Sequence, residues 1–330
     1  MKPAPPRQIG LSAREPAQLR TRRQTFPYPI GYRIDGDLTV IGHLSPGRVG
    51  HLYQVWSSRD WCTYTCKILA EERRDRRADA AALRREARIL ARLRHPTLVR
   101  SFGGGEHEGL PYLLMEYLEG PSLLAVLENA PSRQLDIADA VRTGIHLAAA
   151  LHHLHRRGFI HLDLKPANLL LRDGVPVLID FDSARPVRAG VRPKGRLGTA
   201  PYMAPEHAAR RELTPAADVY GLGALLYELV TGRWAFEDAY TETGEAGAAT
   251  GGEEAQYPQL AGVLPPPPSR FRGGLPASLE TTILACMAPD PADRFPGMHQ
   301  LALALMAELA EPESLWPAGV RAERRQTPRD

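Results

Sequence analysis

Three side chains in the stretch His161-Leu162-Asp163-Leu164-Lys165-Pro166-Ala167-Asn168 carry chemistry: a carboxylate, an ammonium and an amide. A second run, Val177-Leu178-Ile179-Asp180-Phe181-Asp182, reads as a hydrophobic strand ending in two carboxylates around a phenylalanine. Together they offer oxygen ligands for a hard divalent cation, a carboxylate to orient a hydroxyl, and a cation to offset charge on a phosphate. That is the set Mg-assisted phosphoryl transfer requires. Each residue alone is an ordinary turn or surface residue; the meaning lies in the combination.

The two runs match the H-x-D-x-K-P-x-N catalytic loop and the D-F-G metal loop of protein kinases. On these residues the chain resembles a eukaryotic-like (Hanks-type) bacterial Ser/Thr protein kinase, over about residues 37–310. The resemblance implies an α+β, bilobal fold: a small antiparallel sheet with one main helix, then a larger, mostly helical lobe. It implies ATP as donor and Mg²⁺, or Mn²⁺, as cofactor. Asp163 would accept the hydroxyl proton, Lys165 would neutralise charge on the γ-phosphate, and Asn168 and Asp180 would hold the metal. Gly198-Thr199-Ala200-Pro201-Tyr202-Met203-Ala204-Pro205-Glu206 matches the end of an activation segment, where Thr199 with Lys165 is the pairing associated with Ser/Thr substrates. Glu206 is expected to pair with Arg294 of Asp290-Pro291-Ala292-Asp293-Arg294-Phe295, and Asp218 to anchor the catalytic-loop backbone.

These loops need elements to position them. Residues 37–69 alternate in strand fashion, broken by the turn signal Ser45-Pro46-Gly47. Leu44 to Val55 resembles a glycine-rich loop, in which a hairpin without side-chain clash lies over phosphates. A register starting at Gly42 leaves a long gap before Lys67. One starting at Ser45, with Gly47, Gly50 and Leu52, leaves the usual short hairpin and is preferred. Lys67, two residues after Thr65, resembles the lysine that holds the α- and β-phosphates. Its expected partner is Glu86, on the Leu83/Leu90 stripe of a basic helix over about residues 79–94, although Arg85 or Arg88 offers an alternative cation. A glutamate on that inward stripe needs a cation, because an unpaired buried carboxylate is costly. Strand pattern returns over 98–117, interrupted at Gly103-Gly104-Gly105, and ends in a hinge-like Leu114-Met115-Glu116-Tyr117-Leu118. There Met115 would limit the back pocket, and the backbone of Glu116 and Leu118 would bind adenine. Helical pattern follows at about 137–157, 218–231, 279–287 and 298–310. His146, His152, His153 and His155 crowd the first of these with no carboxylate or cysteine at ligand spacing, and read as surface or packing residues.

Two positions depart from the family pattern. Leu162 replaces the arginine that meets a phosphorylated activation segment, and residues 184–198 contain no Ser, Thr or Tyr, only Arg185, Arg188, Arg192, Lys194 and Arg196 as charges. Receptor and phosphate site are missing together, so activation without loop phosphorylation is expected. The basic run would either draw acidic substrates or remain a solvated loop. Asp182 replaces the glycine of D-F-G, which restricts backbone rearrangement there and brings a second carboxylate near the metals. These departures, with Ser45, keep a nucleotide-binding pseudokinase scaffold as the alternative. A small-molecule kinase fits less well, since its relatives lack Lys165-Pro166 and the 199–206 segment.

Composition is compatible with this. A chain of 330 residues is long enough for two lobes, and a formal net charge of +3 does not point to nucleic acid. Cys62, Cys66 and Cys286 are too few for a disulfide framework, and Cys62 and Cys66 read as strand packing residues rather than metal ligands. Residues 1–35 are Pro/Arg-rich and read as a tail, followed by a kinase domain at 36–312 (lobes about 36–116 and 119–312) and a second tail at 313–330. Residues 241–254 read as an insertion without an apolar face, and Leu264 to Pro268 as a stiff connector. With neither a signal-peptide core nor an apolar span of membrane length, a cytoplasmic protein without membrane attachment is expected, acting on protein substrates that the sequence does not identify.

Overall fold

The structure, a computed structural model, describes residues 26–47, 49–188, 192, 197–239 and 257–310. The expected insertion at 241–254, the tail at 313–330 and most of the tail at 1–35 lie outside those residues. The first lobe is a six-stranded antiparallel sheet of β1 (Arg33–Ile34), β2 (Leu38–Ser45), β3 (Gly50–Ser57), β4 (Cys62–Leu69), β5 (Ser101–His107) and β6 (Leu110–Glu116), in spatial order β1-β2-β3-β4-β6-β5. Period-two alternation turns Val40, Tyr53, Val55, Cys66 and Ile68 into the core. Helix α1 (Arg77–Leu90) lies against β4, β5 and β6 through Leu83, Ile89 and Leu90.

Two features differ from the sequence expectation. Gly103, Gly104 and Gly105 do not interrupt a strand; they run inside β5, with a register shift between Ser101 and Gly103. A Cβ on Gly104 would stand 2.2 Å from the Tyr112 carbonyl oxygen, so the close approach of β6 selects glycine there. Residues 26–34, grouped with the tail by composition, pack on the sheet: Ile34 and Tyr28 are buried, and Phe26 stacks on His43. Their aromatic rings supply apolar area that a count of prolines and arginines does not register.

The second lobe is built on α2 (Leu123–Asn129), α3 (Ile137–Arg156), α4 (Pro205–Ala208), α5 (Ala216–Thr231) and the helices Ala277–Cys286 and Met298–Met306. Ser122 and Asp136 cap α2 and α3 by accepting from Ala125 N and Ala138 N. Helix α5 is buried along almost its whole length, which makes it the scaffold for the loops above it. Two short ribbons carry those loops. β7 (Phe159–Ile160) pairs with β10 (Arg185–Pro186), and β8 (Leu169–Arg172) pairs with β9 (Val175–Leu178). The 161–168 loop therefore joins β7 to β8, and the 180–182 loop joins β9 to β10. Leu178 exchanges backbone hydrogen bonds with Thr97 and Val99 of the first lobe, tying the second loop to both halves. Among the described residues, no helix is long and apolar enough to cross a membrane, and the three cysteines are unpaired.

Candidate active site

In the hairpin of β2 and β3, Ser45 at the end of β2 stands opposite Leu52, which matches the register beginning at Ser45, and Gly42 falls inside β2. Side chains at two turn positions would collide. A Cβ on Gly47 would stand 2.5 Å from the Gly50 carbonyl oxygen, and one on Gly50 would stand 2.4 Å from that of Ile68. From this hairpin β4 carries Lys67 beside Leu52, and sets Thr65 opposite Met115 of β6. Met115 is buried, Leu52 and Thr65 are half-buried, and Leu44 is exposed. At the end of β6, Glu116 N donates to Arg100 O, while its carboxylate accepts from Arg100 N (2.9 Å) and Arg172 Nη2 (2.7 Å). The hinge is thereby fastened to β8, and Leu118 packs on the core just beyond it.

Lys67 and Glu86 lie together in the cleft. Nζ is 2.8 Å from Glu86 Oε2, and both side chains are less than a tenth exposed. Nζ also lies 3.0 Å from Asp182 Oδ1 and 3.5 Å from Asp180 Oδ1. Burial disfavours the lysine charge, but Glu86, Asp180 and Asp182 outweigh it and hold the ammonium above its ordinary range. Burial, together with Asp182 and Asp180, pushes the Glu86 carboxyl upward against the pull of Lys67. Asp180 is also opposed by burial, yet Lys67 and the Asp182 amide keep it below the usual carboxylate value. Three carboxylates thus face one lysine. Glu86, Asp180 and Asp182 each bring an oxygen to within 4.8 Å of the others, an all-oxygen donor set that suits Mg²⁺ or Mn²⁺ chemically.

At the other end of the cleft the side chains of Thr199, Lys165 and Asn168 converge on Asp163. Its Oδ1 accepts from Thr199 Oγ1 at 2.7 Å, and its Oδ2 accepts from Lys165 Nζ at 3.0 Å and Asn168 Nδ2 at 3.1 Å. Lys165 Nζ donates also to Thr199 Oγ1, at 2.9 Å. Asn168 Nδ2 donates to the Asp163 carbonyl at 2.8 Å, which turns its amide oxygen away from Asp163. The 161–168 loop is held from below. Asp218 on α5 accepts from His161 N and Leu162 N, both at 2.8 Å, and Leu162 adopts a left-handed φ of 69°. Gly198 passes so close that a Cβ would stand 2.3 Å from Leu162 O, and its own φ is +100°. That approach delivers Thr199 to Asp163. Further out, Glu206 and Arg294 form a bidentate buried pair at 2.7 Å for both bonds.

Several participants escaped the sequence reading. His155, grouped there with surface and packing histidines, meets Asp218 Oδ2 at 2.7 Å. His161 Nε2 contacts Asp180 O at 2.6 Å and packs edge-on against the fully buried Phe181. Phe181 N donates to Glu86 Oε1 at 3.4 Å, linking α1 to the metal-type loop. Arg85 Nη2 and Arg185 Nη1 both donate to Asp182 O, at 3.4 and 2.8 Å. Arg85, weighed from the sequence as an alternative cation for Glu86, instead donates to the Asp182 carbonyl, while Glu86 pairs with Lys67.

The protein kinase domain model matches residues 38–303. The serine/threonine-protein kinase PknH of Mycobacterium tuberculosis is 32% identical over 274 residues, covering 82% of this chain and 41% of that protein. The probable serine/threonine-protein kinase PknB of Bifidobacterium longum is 30% identical over 264 residues, covering 76% and 36% respectively. The chain therefore spans less than half the length of these relatives. Among solved structures, the kinase domain of Mycobacterium tuberculosis PknI superposes with a TM-score of 0.65 at 24% identity, over 85% of this chain and 99% of that one, a likeness of fold.

Proposed function

This chain belongs to the protein kinase family, and from that premise we propose that it transfers the γ-phosphoryl group of ATP to serine or threonine hydroxyls of proteins. The observation that carries the reading is the convergence on one cleft of Lys67–Glu86 from the first lobe with Asp163, Lys165, Asn168 and Asp180 from the second. Lys67 binds the α- and β-phosphates, and Ser45, Gly47 and Gly50 bring backbone over them. Leu44, Leu52, Thr65, Met115, Glu116 and Leu118 receive adenine. Asp163 orients the acceptor hydroxyl and takes its proton, and Lys165 offsets charge on the transferred group. Asn168 and Asp180 would hold a divalent cation, which would supply neutralising charge to the phosphates. The Lys165–Thr199 hydrogen bond at 2.9 Å supports a Ser/Thr rather than Tyr acceptor. Glu206, Arg294 and Asp218 are supports that fix the loops.

The proposal extends to regulation. Leu162, buried and apolar, offers no cation to a loop phosphate, and residues 184–198 offer no hydroxyl to carry one. The protein is active without loop phosphorylation. Phosphosite mapping on active protein tests this; a required phosphate on Thr199 or Ser183 defeats it. We place the protein in the cytoplasm, acting on proteins rather than nucleic acid or membrane. A pseudokinase scaffold is the second reading, favoured by the Asp182 carboxylate standing on Lys67. Transfer of ³²P from labelled ATP to a generic protein substrate, lost in Asp163→Asn, supports the enzyme; nucleotide binding without transfer supports the scaffold.

A further inference from the structure

Asp182 occupies a position where the family motif has glycine, and three elements, β4, α1 and β10, converge on it. Its carboxylate is 3.0 Å from Lys67 Nζ on β4, and its N–H donates to Asp180 Oδ1 at 3.1 Å. Its carbonyl accepts from Arg85 on α1 and from Arg185 at the start of the activation segment. Its φ is not in the left-handed region, so no backbone strain accompanies the substitution. The two arginines fix the main chain with the side chain directed at Lys67, and only 17% of that side chain is exposed.

A carboxylate and a phosphate oxygen accept the same charge-assisted hydrogen bond from an ammonium. Lys67 has three N–H donors. Glu86 and Asp182 take the two closest contacts, and Asp180 stands further off at 3.5 Å. We infer that Asp182 is a positioning residue that takes the phosphates' place on Lys67 in the nucleotide-free protein. It keeps the Lys67–Glu86 pair and helix α1 in their working arrangement, and it must be displaced when nucleotide binds. The inference deepens the kinase reading and rests on it in one respect, that phosphates go to Lys67. It supplies what a loop phosphate would otherwise do, at the expense of nucleotide affinity.

Two readouts on the full chain test this. Calorimetric titration with Mg-ADP should give Asp182→Asn a Kd about tenfold lower than wild type, since an amide removes the competing charge while keeping the shape. Hydrogen exchange on the nucleotide-free proteins should show α1 and β4 less protected in Asp182→Asn, with Mg-ADP restoring protection. Asp182→Gly, the family's own residue, should shift both readouts in the same direction and serves if the amide variant folds poorly. Unchanged affinity overturns the inference. Weaker affinity does so too, because Asp182 would then be a metal ligand. Tighter binding with unaltered protection also overturns it, leaving repulsion without a latch. If neither wild type nor variant binds Mg-ADP, the kinase reading itself fails and this inference falls with it.

Discussion

Around Asp163, one carboxylate is met by three donors, from Thr199, Lys165 and Asn168, inside a loop pinned by Asp218. Around Lys67 the ratio is reversed, with one ammonium facing Glu86, Asp180 and Asp182. The first arrangement satisfies its own charges; the second holds excess negative charge that a cation relieves. On the proposed reading, the substrate end is a preorganised receptor for a hydroxyl, where electrostatic work is done before binding. The nucleotide end is completed by what it binds.

The sharpest way to break this contrast is Asp180→Asn. We expect transfer activity to fall by about a thousandfold with only a small loss of thermal stability, because Lys67 keeps Glu86 and Asp182 as its nearer partners. A large loss of stability would mean that the nucleotide end is as self-satisfied as the substrate end. Arg294→Leu probes the opposite case, a buried pair with no partner to wait for. Stranding Glu206 should cost about 3–5 kcal/mol in denaturant unfolding. A cost within 1 kcal/mol would show that the pair is dispensable.

How much of this was open to reading from sequence depends on separation along the chain. Lys67 and Glu86 are near enough for strand and helix period to place both, and the H-x-D-x-K-P-x-N run is a single loop. Glu206 and Arg294 were approachable through their flanking motifs. The Lys67–Asp182 contact was not, because it joins residues 115 positions apart, through a side chain where the family has none. Composition also misplaced residues 26–34, whose tyrosines and phenylalanine pack on the sheet, and glycine content suggested a break where β5 continues.

A third test uses pH. His207 on α4 is buried, and burial drives its pKa down from the ordinary value to about 4, against pulls from Glu206, Asp218 and Asp163. The folded protein therefore holds it neutral where the unfolded chain protonates it. Its contribution is complete above the ordinary histidine value and is lost as pH falls toward 4, amounting to about 3 kcal/mol. His207→Gln should flatten that acid limb in unfolding midpoints taken between pH 7 and 4.5, and an unchanged slope would contradict it. The smallest effect expected is that of Tyr202→Phe. It removes the 2.5 Å hydrogen bond to buried Glu228 and should cost about 1–2 kcal/mol.

The measurement nearest the core of the account is transfer of ³²P from labelled ATP to a generic protein, run beside Mg-ADP calorimetry on wild type and Asp163→Asn. Wild type should transfer label onto Ser or Thr. The variant should lose about a hundredfold to ten-thousandfold in rate while binding Mg-ADP within a few-fold of wild type. Label transfer that survives in Asp163→Asn, or a wild-type protein that binds Mg-ADP yet transfers nothing, would contradict the assignment of Asp163 as the group that readies the hydroxyl.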